Sequence, residues 1–301
     1  MALLFDIKRF ALNDGPGIRT TIFMKGCPLR CVWCHNPEGF SEEAVKMYTK
    51  KKCMGCQSCV EACPQKNLVL TQEGIKDLGH CVACGKCADA CPTLALEMAG
   101  KEWKMEELML VVEKERQVME ESGGGVTLCG GEPLMHAEEL CEMLDELGRR
   151  GFHRTVDTTL FTSPENVKRV AERCELMLVD LKMMNSEMHQ RYTGVKNEQI
   201  LANIQMLSKM GHLYWVRIPL IVGVNADEEN LTASAEFLAS LPTQPEVVNL
   251  LVYHDVGIGK HSRLGTTYNP EGIRMEVPSA EVQQWAVELM KRKGLNTKIG
   301  G

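Results

Sequence analysis

Residues 20–39 read TTIFMKGCPLRCVWCHNPEG. The opening part, TTIFMKG, is a β-branched and apolar run ending at a glycine, the pattern of a buried strand that closes in a turn. Directly behind it stand Cys27, Cys31 and Cys34, in C-x3-C-x2-C spacing, on a loop at the strand's C-terminal end. A thiolate-bound metal centre commonly takes four protein ligands. Three thiols on one loop tie down three positions and leave the fourth open, and an open position on a metal centre is where substrate binds.

The chain beyond residue 100 predicts the scaffold around that loop. A helical pattern runs through WKMEELMLVVEKERQVMEE, with Met105, Leu108, Met109 and Val112 on one face. A glycine-rich turn and strand, GGGVTLCGG, follows, then a helix AEELCEMLDELGRR that stops at Gly151. Strand RTVDTTL leads to helix PENVKRVAERC, with Ser163 as cap and Pro164 in the first turn. The alternation continues through strand ELMLVDLK, helix NEQILANIQMLSKM, strand LYWVRIPLI, helix NLTASAEFLASL, strand VVNLLVY and helix AEVQQWAVELMKRK. With the strand before Cys27, this makes six β/α units. The expected fold is therefore α/β, a parallel sheet with helical cover closing into a partial (β/α)6 barrel, with its chemistry at the strand C-terminal ends.

Cysteine is the unusual component. The 301 residues hold 14 cysteines, and 11 of them fall in three tight groups. Residues 53–64 read CMGCQSCVEACP and residues 81–92 read CVACGKCADACP, an internal repeat of C-x2-C-x2-C-x3-C-P. A disulfide framework suits small secreted domains, and MALLFDIKRF is too short in its apolar run and too soon charged for a signal peptide. Metal ligation is the better reading. Zinc sites use cysteine pairs around one ion, whereas three cysteines at every third position plus a fourth wrap a larger object. The repeat resembles the bacterial two-cluster ferredoxins, in which the fourth cysteine of each run ligates the other cluster. That resemblance implies one auxiliary 4Fe–4S cluster on Cys53, Cys56, Cys59 and Cys91, and a second on Cys63, Cys81, Cys84 and Cys87. Between the runs, QKNLVLTQEGIKDLGH predicts a hairpin around Glu73-Gly74. Residues 49–98 are thus expected to form an inserted ferredoxin-like domain, stapled by its clusters, with 1–48 and 99–301 forming the barrel.

Composition narrows the function classes. An apolar fraction of 44%, a charged fraction of 25% and a net charge of −6 describe an ordinary globular chain with no general affinity for nucleic acid. No stretch reaches 18 uncharged apolar residues, so no membrane span is expected. A cytoplasmic monomer is the resulting expectation.

The C-x3-C-x2-C loop resembles the signature of the radical S-adenosylmethionine (radical SAM) enzymes, in which SAM chelates the fourth iron. Within that group the chain is similar to the activating enzymes of glycyl radical enzymes, pyruvate formate-lyase activating enzyme-like and carrying the two-cluster insert. The similar segments are DGPGIRTTIFMKGCPLRCVWCHNPE, CGGEP (129–133), VDTT (156–159) and VDLK (179–182). The resemblance implies three 4Fe–4S clusters, SAM bound by Trp33, His35, Gly130, Gly131, Glu132, Asp157, Asp180, Lys182, Arg217 and His254, and a monovalent cation between Asp157 and Asp180. Glu132 would accept from the SAM ammonium. Two carboxylates that converge on the SAM carboxylate would repel without such a cation. Asp14, Arg19 and His35 would face the incoming glycine loop of the partner. After Asp157-Thr158, Thr159-Leu160 departs from the family's more common polar residue plus glycine. Cys129 stands where a small hydroxyl residue is expected, and Cys141 and Cys174 read as core thiols.

The implied activity is reductive cleavage of SAM to methionine and a 5′-deoxyadenosyl radical, which takes hydrogen from a glycine Cα of a partner enzyme. Flavodoxin or ferredoxin would donate the electron, and the insert favours a lyase or dehydratase partner over pyruvate formate-lyase. Two alternatives stay open at this point: a radical SAM enzyme acting on a small molecule or peptide, and an electron-carrying ferredoxin fused to an inert barrel.

Overall fold

A computed structural model describes residues 2–301. Strand β1 (Ala2–Ala11) runs antiparallel to β2 (Arg19–Met24), the buried strand that carries the cysteine loop. Next come the short strands β3 (Val45–Tyr48), β4 (Leu68–Thr71), β5 (Gly74–Asp77), β6 (Leu96–Ala99) and β7 (Lys101–Trp103). They are followed by β8 (Gly125–Gly130), β9 (Arg154–Thr158), β10 (Leu176–Asp180), β11 (Tyr214–Leu220), β12 (Val247–Val252) and β13 (Thr297–Ile299). The main sheet has nine strands in the order β13-β12-β11-β10-β9-β8-β2-β1-β7. From β2 through β13 neighbours are parallel, while β1 and β7 are antiparallel. Each crossover advances one place in the same direction, which curls the sheet into a partial barrel. The six expected units are β2 and β8 to β12.

Helices cover the outer face with apolar stripes. The helix Ala137–Arg149 buries Leu140, Leu144 and Leu147, Glu198–Lys209 buries Ile200, Ile204 and Leu207, and Glu228–Ala239 buries Leu231 and Leu238. These pack with strand residues Leu128, Val156, Val179, Val216 and Leu250 in one core. Each fully buried aliphatic side chain contributes about 1.5–3 kcal/mol relative to exposure. Ser163 caps Pro164–Ala171 through Asn166 N at 3.3 Å, and Gly151 follows Ala137–Arg149 with φ +78°.

The helix expected over WKMEELMLVVEKERQVMEE is two, Met105–Glu113 and Arg116–Ser122. The break falls at Glu115, which is buried and paired with Arg9 of β1, so the carboxylate turns inward and interrupts the apolar stripe. Strands β1, β7 and β13 and the helices Ser186–Thr193 and Gly257–Leu264 were not read from the sequence pattern.

Residues 45–99 stand apart from the barrel with a small core of Cys59, Leu68, Cys87 and Leu96. β3 pairs with β6, and β4 with β5 across the Gln72-Glu73 turn, where the hairpin was expected. Because β3 and β6 belong to this unit, its root lies at Ala44 and Gly100, a few residues outside 49–98. The sequence repeat is also a backbone repeat: left-handed φ at Gly55, Gln57 and Lys66 recurs at Ala83, Gly85 and Leu94. The helix Gly257–Leu264 ties the unit to the barrel. Its Arg263 reaches Glu97 at 2.6 Å, while its Lys260 reaches Glu38 at 2.6 Å and Asn36 at 2.7 Å beside the first cysteine loop. No helix among the described residues is long and apolar enough to cross a membrane.

Candidate active site

Parallel strands that curl around a shared axis leave a hollow at their C-terminal ends. Here it is a cavity of about 510 Å³, within the range of small-molecule sites. Cys27, Cys31 and Cys34 all line it. Their loop is pinned by Gly26 N to Ser41 O at 3.1 Å, Val32 N to Tyr192 O at 3.0 Å and Arg30 N to Thr193 O at 2.7 Å. Lys25 is buried beneath it and donates to Glu38 O at 2.5 Å, and burial lowers its ammonium to about 8. Burial raises all three thiols, Cys34 to about 12, so they ionise only when a strong positive charge binds them. Asn36 N approaches Cys34 Sγ at 3.4 Å, the kind of contact that stabilises a ligating thiolate.

Four charged side chains on or just after three neighbouring strands, β9, β10 and β11, line the same cavity as the thiols. Arg217 Nη1 donates to Asp157 Oδ2 at 2.7 Å, and Lys182 Nζ to Asp180 Oδ2 at 2.6 Å. The register pairs Asp180 with Arg217 and places Asp157 beside Leu178, so the two ion pairs adjoin. Burial raises Asp157, with Asp180 and Asp14 adding to it against the pull of Arg217. Burial alone would lower Lys182, yet Asp180 and Cys31 more than offset it and raise the ammonium. Arg217 Nε is buried with no partner among the described residues, a donor held ready for a ligand in the cavity wall. Trp33, Tyr253 and Ile221 form an apolar cluster on the same cavity. His35 stacks on His254 with ring centroids 3.9 Å apart, and its Nε2 lies 3.0 Å from His254 O. Burial lowers His35 to about 4, so Nε2–H of the neutral ring donates to that carbonyl.

Of the residues expected around SAM, Trp33, His35, Gly130, Gly131, Asp157, Asp180, Lys182, Arg217 and His254 line this one cavity. Glu132 does not. It is fully buried and its carboxylate is used up within the chain: Thr158 Oγ1 donates at 2.6 Å, Thr159 N at 2.7 Å, Thr159 Oγ1 at 2.5 Å and Leu134 N at 3.1 Å. It joins the turn after β8 to the end of β9 instead of facing an ammonium. Gly130 and Gly131 have a local reason too: a Cβ on either would collide with the backbone of Met24 or Gly26. Gly131 N donates to Met24 O at 2.9 Å and Glu132 N to Gly26 O at 2.7 Å, which knits the β8 turn to the base of the cysteine loop. Leu160, where the family's glycine is more common, has φ +59° and is fully buried. The left-handed backbone costs about 1–2 kcal/mol for a non-glycine residue, and the burial offsets it.

Asp14 and Arg19 are also placed differently from expectation. Arg19 is fully buried at the start of β2, the end away from the thiols, and donates to Thr127 Oγ1 at 2.7 Å, Val126 O at 2.8 Å and Pro16 O at 3.0 Å. Thr21 Oγ1 donates to Asp14 Oδ2 at 2.7 Å. Both residues fasten the 12–18 loop to β2 and β8, with Arg19 wholly inside and Asp14 half-buried. Their neighbour Asn13 does line the cavity, as do Cys129, Thr158, Thr159, Gly300 and Gly301. The threonines could have been found from their place after Asp157. Nothing in the sequence signalled 300–301.

The two cysteine runs enclose two further hollows. One is lined by Cys53, Cys56, Cys59 and Cys91, the other by Cys63, Cys81, Cys84 and Cys87. Each hollow therefore takes three thiols from one run and the fourth from the other, a donor set that fits a cubane cluster.

The Radical SAM superfamily model, which describes 4Fe–4S enzymes that use SAM, matches residues 21–235. Over 301 residues the chain is 40% identical to the trans-4-hydroxy-L-proline dehydratase activating enzyme of Clostridioides difficile, covering 99% of each. It is 38% identical over 277 residues to the choline trimethylamine-lyase activating enzyme of Oleidesulfovibrio alaskensis, covering 90% of this chain and 89% of that one. A solved domain of pyruvate-formate lyase-activating enzyme from Bacteroides vulgatus superposes with a TM-score of 0.52 at 48% identity, over 59% of this chain and 99% of that chain. Kinship of this extent, along nearly the whole length of both chains, makes the protein a member of the radical SAM superfamily and, within it, one of the activating enzymes of glycyl radical enzymes.

Proposed function

We propose that the cavity binds SAM beside a 4Fe–4S cluster held by Cys27, Cys31 and Cys34, and that the protein installs the radical on a glycine of a lyase or dehydratase partner. When bound, the cluster would supply the one low-potential electron for reductive cleavage of SAM, the chemistry that would generate the radical abstracting the glycine Cα hydrogen. The chain's own residues bind, orient and shield. Cys27, Cys31 and Cys34 would hold the cluster and, being three, would leave it one position without a protein ligand, where SAM would bind. Arg217, through its unpartnered Nε, and Lys182 present cations to the SAM carboxylate. Asp157 and Asp180 fix those cations in place, and the expected monovalent cation would lie beside the same two carboxylates. Trp33, Ile221 and Tyr253 keep water from the reacting carbon. Glycine suits the target because a peptide without a side chain can enter this cavity.

The two outer hollows hold the auxiliary clusters, giving three in all, within a ferredoxin-like insert; a flavodoxin or ferredoxin serves as donor and the enzyme acts as a monomer. The observation that carries the reading is the sharing of one cavity by the three loop thiols and two adjoining ion pairs. The test is anaerobic: reconstitute with iron and sulfide, reduce, add SAM and a candidate partner, then record the EPR spectrum while assaying 5′-deoxyadenosine. A glycyl doublet on the partner, absent with Cys31→Ala, is expected. No deoxyadenosine from fully loaded, reduced protein would overturn the reading.

A further inference from the structure

The two outer hollows share a pattern but differ in their rims. Around the Cys53/Cys56/Cys59/Cys91 hollow, Lys50, Lys51 and Lys52 form an exposed turn directly before Cys53. Lys52 approaches Glu97 at 3.8 Å, while Lys50 and Lys51 make no ion pair among the described residues. Met54 is 67% exposed and Leu94 58% exposed next to them, with Cys56 itself at the surface. The other hollow has an equally bare Val82, but its lysines are scattered: Lys46, which lines it, is paired with Asp77, Lys86 shares a short helix with Asp89, and Lys66 stands singly after Cys63. A charge cluster on an otherwise acidic protein attracts a partner of opposite sign, and bare apolar atoms at its centre allow close contact once the partner lands.

The sulfurs differ as well. Cys91 Sγ accepts from Ala95 N at 3.2 Å and Leu96 N at 3.5 Å, and Ser58 Oγ donates to Cys56 Sγ at 3.4 Å. On the other set, Cys63 accepts from Asn67 N at 3.3 Å and Cys81 from Ala83 N at 3.4 Å. Hydrogen bonds to the sulfurs and nearby positive charge both favour the reduced state of a cluster.

We propose that the Lys50–Lys52 rim, with Met54 and Leu94, is the landing surface for a small acidic electron-carrier protein, and that electrons enter the enzyme through the Cys53/Cys56/Cys59/Cys91 site. The carrier loses one electron and the iron–sulfur centre gains it; no atom is transferred. This rests on the proposed function, in which all three centres are filled.

The test uses the full chain, reconstituted and with its iron measured, against an acidic flavodoxin in its hydroquinone state. Electron transfer is followed by stopped flow, and carbodiimide cross-links are mapped by mass spectrometry. With Lys50→Glu, Lys51→Glu and Lys52→Glu combined, transfer at low salt is expected to slow at least about tenfold. The parent rate should fall with added salt and the variant rate should not. Reduction by dithionite, which needs no docking surface, should match in both, showing that the variant is intact. Equal flavodoxin rates would overturn the proposal. So would cross-links that map away from 50–52, or a variant that instead loses binding to the glycyl radical enzyme. Iron for only one centre, or no deoxyadenosine after dithionite and SAM, would count against the proposed function, while the cross-link map reads the surface independently of that chemistry.

Discussion

Thr159 holds Glu132 twice, its backbone N–H at 2.7 Å and its hydroxyl at 2.5 Å from the same carboxylate oxygen. A fully buried carboxylate tolerates its surroundings only while its lone pairs are met, and burial pushes this one up despite four donors. Thr159→Ala removes one donor and should cost about 1–3 kcal/mol in urea unfolding of the apo protein. Thr159→Ser keeps the hydroxyl and should recover most of that loss. Equal stability for the parent, alanine and serine forms would show that the bond carries no weight.

The Arg217–Asp157 pair makes a second case. Arg217→Met leaves a buried carboxylate without its cation and should cost about 3–5 kcal/mol. Adding Asp157→Asn to it should restore much of that stability, yet not SAM affinity, because the Nε donor has gone. Equilibrium unfolding and SAM binding to the reconstituted protein separate the two effects. Full SAM affinity in the double variant would remove Arg217 from the binding site.

The interleaved thiols can be tested by iron counting. Cys63→Ala should lose about four iron atoms and the same EPR signal as Cys81→Ala, although Cys63 belongs to the first run. Cys91→Ala should match Cys53→Ala in the same way. If Cys63→Ala matched Cys53→Ala instead, each run would be filling its own cluster.

The apo protein should lose stability as pH falls from about 6.5 toward 5. His35, His153, His189, His212 and His261 all have lowered values, burial being the largest cause in each. Below 6.5 the unfolded chain takes up protons that the folded chain refuses, so stability present above that pH drains away as it falls. Asp157 and Glu132 are raised and act with the opposite sign, folding being favoured as they protonate. Five groups against two leave a net loss, up to roughly 1.4 kcal/mol per pH unit for each uncompensated proton. A urea midpoint that stayed flat from pH 7 to 5 would contradict this balance.

The parallel strands were legible because buried on both faces they read as continuous apolar runs, as in ELMLVDLK, with periodic helices between. The cysteine loop and repeat were legible as spacings, while the sharing of thiols between the two runs came from the resemblance to two-cluster ferredoxins. Edge elements were not. β1 is exposed from Lys8 to Phe10, so no alternation marks it, and Gly257–Leu264 contains two glycines and little apolar period. Glu132 and Arg19 show a different limit. A charged residue in a motif reads as facing a ligand, but when fully buried it can equally be spent on the chain's own donors and carbonyls, and sequence does not reveal which.

Gly301 rests against Asn13, and both border the cavity that also holds the three loop thiols. The ribosome delivers residues 27–34 well before 297–301, so for much of synthesis the thiols exist without the wall that will enclose them. Iron that reached the loop on a nascent chain would sit in an open site, exposed to solvent and oxidant. Correct loading therefore belongs after residues 297–301 have folded into place, when both rims of the barrel are present to shelter what the loop binds.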